Sequence, residues 1–93
     1  MKTKTSFGFM ETILERDGEI ISELMTFNKE GRGHSHYNWE HCFVVDGEGI
    51  IVVGEKQFKL TKGDVCKIPP NIYHWMIPSP YLEILIVYSS NNG

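Results

Sequence analysis

Three histidines and one glutamate, His34, His36, Glu40 and His74, are the residues of this 93-residue chain whose types and spacing could do chemistry. Imidazole nitrogens together with one carboxylate form a donor set for a single divalent transition ion, and Mn, Fe, Ni, Zn and Cu are all compatible with it. His34 and His36 are two residues apart, so on a strand both side chains point to one face. Glu40 has the same parity and, with a short bend after His36, adds an oxygen from the same side. His74 must then arrive from a distant strand. Four protein ligands around an octahedral ion leave positions open, which points to chemistry or ligand capture and away from a closed structural site. With neutral histidines and one carboxylate the loaded site keeps a net positive charge, so small anionic or polyoxygenated ligands that chelate the ion are the expected partners. A general base is harder to find: Glu40 and a metal-bound hydroxide are the only candidates.

The same residues carry a resemblance. From His34 onward, His34-Ser35-His36, three residues, Glu40, six residues and Gly47 resemble the first motif of the cupins. Asn28 stands where that motif begins with glycine, and asparagine tolerates positive φ better than other side chains. Gly63, five residues, Pro69-Pro70-Asn71, two residues and His74 resemble the second motif, with Asn71 in place of a glycine and Pro78 in place of the closing asparagine. The two motifs and their spacer cover residues 28 to 78. The resemblance implies a double-stranded β-helix, that is, a jelly-roll barrel, with a metal held by His34, His36, Glu40 and His74. It also implies pairing into a homodimer, the commonest closed symmetry.

His41 offers an alternative to Glu40, because some small cupins take a ligand from the histidine of a Trp-Glu-His stretch and Trp39-Glu40-His41 resembles one. Counted back from Gly47 the ligand position is Glu40, and His41 falls on the opposite face; a local bulge would exchange them. Cys42 and Cys66 form neither a Cys-x-x-Cys pair nor a disulfide framework and read as small buried hydrophobes. Simple alternation turns Trp39 and Trp75 away from the ligands, toward packing or a dimer contact. Met76 shares parity with His74, Asn38 shares parity with the ligands, and Phe43 and Phe58 are core candidates.

The elements that must position these side chains read as strands. Asp17-Gly18 between Met10–Leu14 and Ile20–Phe27 is a two-residue hairpin signal. Asp46-Gly47-Glu48-Gly49 is read as a turn between Cys42–Val45 and Ile50–Val53, and Gly54-Glu55 as a reversal into Gln57–Leu60. Lys62-Gly63-Asp64 leads into Val65–Ile68, which Pro69 and Pro70 terminate because they lack the amide hydrogen a ladder needs. His74–Ile77 and Leu82–Tyr88 complete eight strands, and Gly18 stops any helix starting at Glu11. The expectation is one all-β domain over residues 1–93, a jelly roll, with a frayed polar tail from Ser89 to Gly93.

Composition narrows the function classes. A net charge of −3 with nine scattered basic residues leaves no footprint for nucleic acid. The longest wholly aliphatic runs, Ile50–Val53 and Ile84–Val87, are far too short to cross a bilayer. Glu11, Glu15 and Arg16 interrupt any signal-peptide core near the start, so a cytoplasmic protein without a membrane partner is expected. Three functions remain open. The first is a metal-dependent isomerase, epimerase or lyase acting on an oxygen-rich anion. The others are a metal-dependent dioxygenase and a non-catalytic module that binds a small ligand.

Overall fold

The computed structural model describes residues 2–90. Seven strands follow one another: β1 (Lys2–Lys4), β2 (Gly8–Arg16), β3 (Glu19–Phe27), β4 (Trp39–Val53), β5 (Lys56–Thr61), β6 (Val65–Ile68) and β7 (His74–Ser89). Every pairing is antiparallel, and no helix occurs among the described residues. The Asp17-Gly18 hairpin forms as expected: both residues take positive φ, 53° and 80°, as the turn matched to strand twist requires.

The count differs from the expected eight because two pairs of short strands are each one long strand, and β1 adds a strand that the sequence did not signal. Residues 46–49 do not reverse the chain. They lie inside β4, where register shifts against β7 between Val44 and Asp46 and between Gly47 and Gly49 mark bulges. Gly47 has φ of 81°, and a Cβ there would lie 2.0 Å from the Tyr81 carbonyl oxygen; a Cβ on Gly49 would lie 2.3 Å from that of Ile77. The glycines let β7 run close beside a bulged β4. The bulges also exchange the buried face: Glu40, Cys42 and Val44 are buried before them, Gly49 and Ile51 after them. Alternation counted across residues 45–48 therefore loses its phase.

β4 and β7 pair along their whole length, from Trp39 opposite Ser89 to Val53 opposite His74. Fifteen residues of strand at about 3.3 Å each would extend about 50 Å, yet the molecule measures 35 × 32 × 24 Å. The ribbon must bend, and its halves join different neighbours. Glu40–Phe43 and Leu82–Val87 take β6 on one side and β3, β2 and β1 on the other. The other half takes β5 along β4 and, along β7, the segment from Gly31 to His34, which bonds to Met76 and His74 through its backbone. The result is the expected all-β jelly roll.

Between the layers lies a core that includes Cys42, Ile51, Leu82, Ile84 and Ile86, all at or below 2% exposure. Phe43 and Phe58, expected in it, face outward at 38% and 45% exposed; Phe43 lies between inward Cys42 and Val44. Asn28 is not among the positive-φ residues, whereas Asn71 is, at 64°, so asparagine replaces a left-handed glycine in the second motif only. Ser89 ends β7 instead of fraying, and residues 91–93 of the expected tail lie outside the described part.

Candidate metal centre

The structure brings His34, His36, Glu40 and His74 together, one possible ligand atom from each lying within 4.8 Å of all the others. His74 is the first residue of β7. It is delivered there after Pro69-Pro70 ends β6 and Asn71 turns the chain with left-handed backbone, while the Asn71 amide donates to the His36 carbonyl at 2.6 Å. Glu40 is the second residue of β4, ahead of the bulges, so its inward parity holds. The two remaining histidines differ from expectation in how they are held. His34 makes only an isolated bridge, exchanging backbone hydrogen bonds with His74 at 3.1 and 2.9 Å, and His36 lies beyond it outside any strand. Their rings nevertheless converge, with centroids 4.4 Å apart.

Glu40 and His74 are each 2% exposed and form the floor of the cluster; His36 is half-buried and His34 exposed at its mouth. Glu40 Oε2 lies 2.9 Å from His36 Nε2 and 2.8 Å from His74 Nε2. Despite these distances, Glu40 Oε2 and His74 Nε2 have no hydrogen-bond partner of acceptable geometry. Buried polar atoms left this way are rare in proteins, and atoms that approach without aligning on each other are aimed at a shared centre. Two donors about 2.1 Å from one ion stand about 3.0 Å apart at right angles and about 3.4 Å apart in a tetrahedron. The two Glu40 contacts fit neighbouring positions around one ion, so the donor set suits a divalent metal.

The environment separates the histidines electrically. Burial, then the neighbouring His36 and His74, hold His34 below the usual imidazole pKa. Burial also opposes charge on His74, but contact with Glu40 and the Ile72 carbonyl outweighs it, and its pKa is raised. His74 Nδ1 donates to the Ile72 carbonyl at 2.8 Å, which leaves Nε2 as the nitrogen facing Glu40, the usual way an outer hydrogen bond fixes a ligating tautomer.

His41 is directed elsewhere: its Nε2 pairs with Ser89 Oγ at 3.0 Å, and no bulge precedes it to exchange it with Glu40. Cys42 is fully buried opposite half-buried Cys66 on β6, and burial pushes both thiols up, as expected of inert packing residues. Lys67 lies over the Trp39 ring, away from the ligands. Trp75 donates its indole N–H to Glu30 at 3.0 Å and packs edge-on against Tyr73, and the residue also borders the cavity that opens on the cluster. Asn38 lines outer grooves beside Tyr88 and does not border that cavity.

That cavity has a volume of about 220 Å³, and all four candidate ligands line it. Its remaining wall is largely apolar, including Phe7, Met25, Phe27 and Met76. Besides Arg32, two further polar residues that the sequence reading passed over border it, Glu23 and Tyr88. Glu23 is 7% exposed, and the Tyr88 hydroxyl donates to its Oε2. Burial, then this hydrogen bond to the carboxylate, raise the Tyr88 pKa and keep the phenol protonated. Their signal was parity: Glu23 alternates with Met25 and Phe27, and Tyr88 with Ile84 and Ile86, each on an inward face.

The cupin domain model matches residues 23–87 of the chain. An uncharacterised protein of Methanocaldococcus jannaschii is 27% identical over 89 residues, covering 76% of this chain and 71% of that one. Among solved structures, an RmlC-like cupin from Shewanella frigidimarina is similar with a TM-score of 0.68 and 27% identity; the match covers 73% of this chain and 63% of that one's length. A Photorhabdus luminescens protein shares the fold with a TM-score of 0.81 at 19% identity, over 99% of this chain and 82% of that one.

Proposed function

The chain belongs to the cupin domain family, and from that premise we propose that it is a mononuclear metalloenzyme that binds a small chelating anion at His34, His36, Glu40 and His74. The observation that carries this reading is the contact of buried Glu40 Oε2 with two imidazole nitrogens at hydrogen-bond distance but without hydrogen-bond alignment. A divalent ion held there would supply Lewis acidity to a substrate carboxylate, hydroxyl or keto oxygen, which suits isomerase, epimerase or lyase chemistry.

The chain's own residues account for the rest. Glu40 and His74 provide an anchored base to the site, with His74 fixed through the Ile72 carbonyl. His34 and His36 stand at the solvent side, so ion and ligand enter past them. The apolar cavity wall removes water from a bound ligand and strengthens each polar contact inside.

The testing experiment is metal content by mass spectrometry on protein purified without an affinity tag, with His74→Ala as the control. Near one equivalent in the wild type and none in the variant is the expected result. Oxygen uptake with bound Fe, Mn or Cu would move the assignment to a dioxygenase. No metal after reconstitution would remove the enzyme reading and leave a small-ligand-binding module.

A further inference from the structure

The cavity also holds a second polar group that metal binding does not use. Glu23 projects inward from β3 opposite Ile86, and Tyr88, two residues further along β7, lies opposite Glu40. Glu23 and the Tyr88 phenol bonded to it thus lead along the inner face toward the metal cluster, with the Tyr88 ring centroid 6.0 Å from that of His36. Nothing about a jelly roll requires a carboxylate here: the neighbouring inward positions on β3 carry Met25 and Phe27, and burial of Glu23 is costly. One phenolic hydrogen bond occupies part of what a carboxylate accepts, since its two oxygens offer about four acceptor sites. The residue borders both the metal-facing cavity and the outer groove next to His36.

We infer that Glu23, held in place by Tyr88, is a specificity-determining residue that accepts a hydrogen bond from a hydroxyl or amine on a ligand whose other end is an anion bound at the histidine cluster. The inference rests on the proposed metal site for the anionic end. Electrostatics sets the orientation, because a ligand carboxylate placed against Glu23 would meet like charge, whereas at the loaded cluster it meets opposite charge. Phe7, Phe27, Met25 and Met76 line the same cavity and favour an apolar body. The volume of about 220 Å³ exceeds that of the roughly 150 Å³ cavity known to admit a benzene ring, so a compact ring or branched chain fits. The ligand class is therefore a small apolar-bodied acid with a separate hydrogen-bond donor, and not a molecule polar throughout.

Calorimetric titration of the zinc-loaded full chain with benzoate, 3-hydroxybenzoate and 4-hydroxybenzoate tests this. The hydroxyl of neither isomer can reach the ion that holds its own carboxylate, so a gain from it reports a second contact. One isomer should bind about tenfold or more tightly than benzoate, the range of a hydrogen bond to a charged group. In Glu23→Gln that gain should shrink to about threefold or less while benzoate binding is kept, and Glu23→Asp, which withdraws the charge by one methylene, should fall between. Melting curves establish that each variant is folded. Failure of every probe to bind, equal affinity of all three for the wild type, or a gain that survives in Glu23→Gln and Glu23→Asp would overturn the inference. Repeating the titration on metal-free protein, with metal content measured on each sample, separates the two readings. Hydroxyl discrimination without metal retention keeps the Glu23 assignment and removes the metal site, while metal retention without discrimination does the reverse.

Discussion

Replacing Glu40 by Gln should alter stability in opposite senses with and without metal. The carboxylate is 2% exposed, and its Oε2 crowds two imidazoles without a well-aligned hydrogen bond. In metal-free protein at pH 8 the charge is thus a burden, and the near-isosteric amide should leave stability unchanged or raise it by up to about 2 kcal/mol. With metal the sign reverses. An ion at 1,000 times its dissociation constant stabilises the fold by about 4 kcal/mol, and a variant binding it 100-fold more weakly forgoes about 2.7 kcal/mol of that. For a domain of this size each kcal/mol moves the melting temperature by about 4–8 °C, so the metal-induced shift should be about 11–22 °C smaller in Glu40→Gln. Differential scanning calorimetry at pH 8, with zinc or with EDTA, measures both arms. The reasoning fails if zinc raises the two melting temperatures equally. It fails too if the metal-free variant is more than about 2 kcal/mol less stable than the wild type, since Glu40 would then be a structural hydrogen-bonding residue.

His41→Ala should keep metal content and lose no more than about 1 kcal/mol, the worth of its Ser89 hydrogen bond; loss of metal in this variant would exchange the roles of His41 and Glu40. Metal-free protein should be most stable near the ordinary histidine pKa of about 6.5. Below it His34, whose folded pKa is lowered, makes the unfolded chain the better proton binder, so stability falls on acidification; above it His74, whose folded pKa is raised, loses its stabilising proton and stability falls again. Urea titrations between pH 5 and 8 check this, and a monotonic profile would contradict it. Gly47→Ala should destabilise by more than about 2 kcal/mol, because its Cβ would stand 2.0 Å from the Tyr81 carbonyl at a φ of 81°; a melting temperature within a few degrees of the wild type would contradict it.

Spacing made the four candidate ligands legible, because each sits where backbone chemistry is strongly marked: two histidines before a strand, Glu40 ahead of any bulge, His74 after a double proline. Hairpin chemistry did the same for Asp17-Gly18. What was not legible depended on neighbours distant in sequence. Asp46 to Gly49 has the composition of a turn, yet only the approach of Tyr81 and Ile77 shows that its glycines serve a bulged strand. Glu23 lay hidden in an apolar segment, since a buried carboxylate looks like an exposed one until its phase is compared with Met25 and Phe27.

The bent ribbon of β4 and β7 brings its two ends together. Glu40 stands near one end of that ribbon and His74 at the other, with Tyr88 and Val53 as their respective cross-strand partners, and still their side chains touch. The site works as a buckle that joins the two ends of a strap, so its ligand spacing reads out the curvature of the whole strap. For the proposed metal site, substitutions at the middle of the bend, Gly47 and Gly49 foremost, should change ion affinity without approaching the ion, and loading it should slow hydrogen exchange across the bend as well as around the histidines.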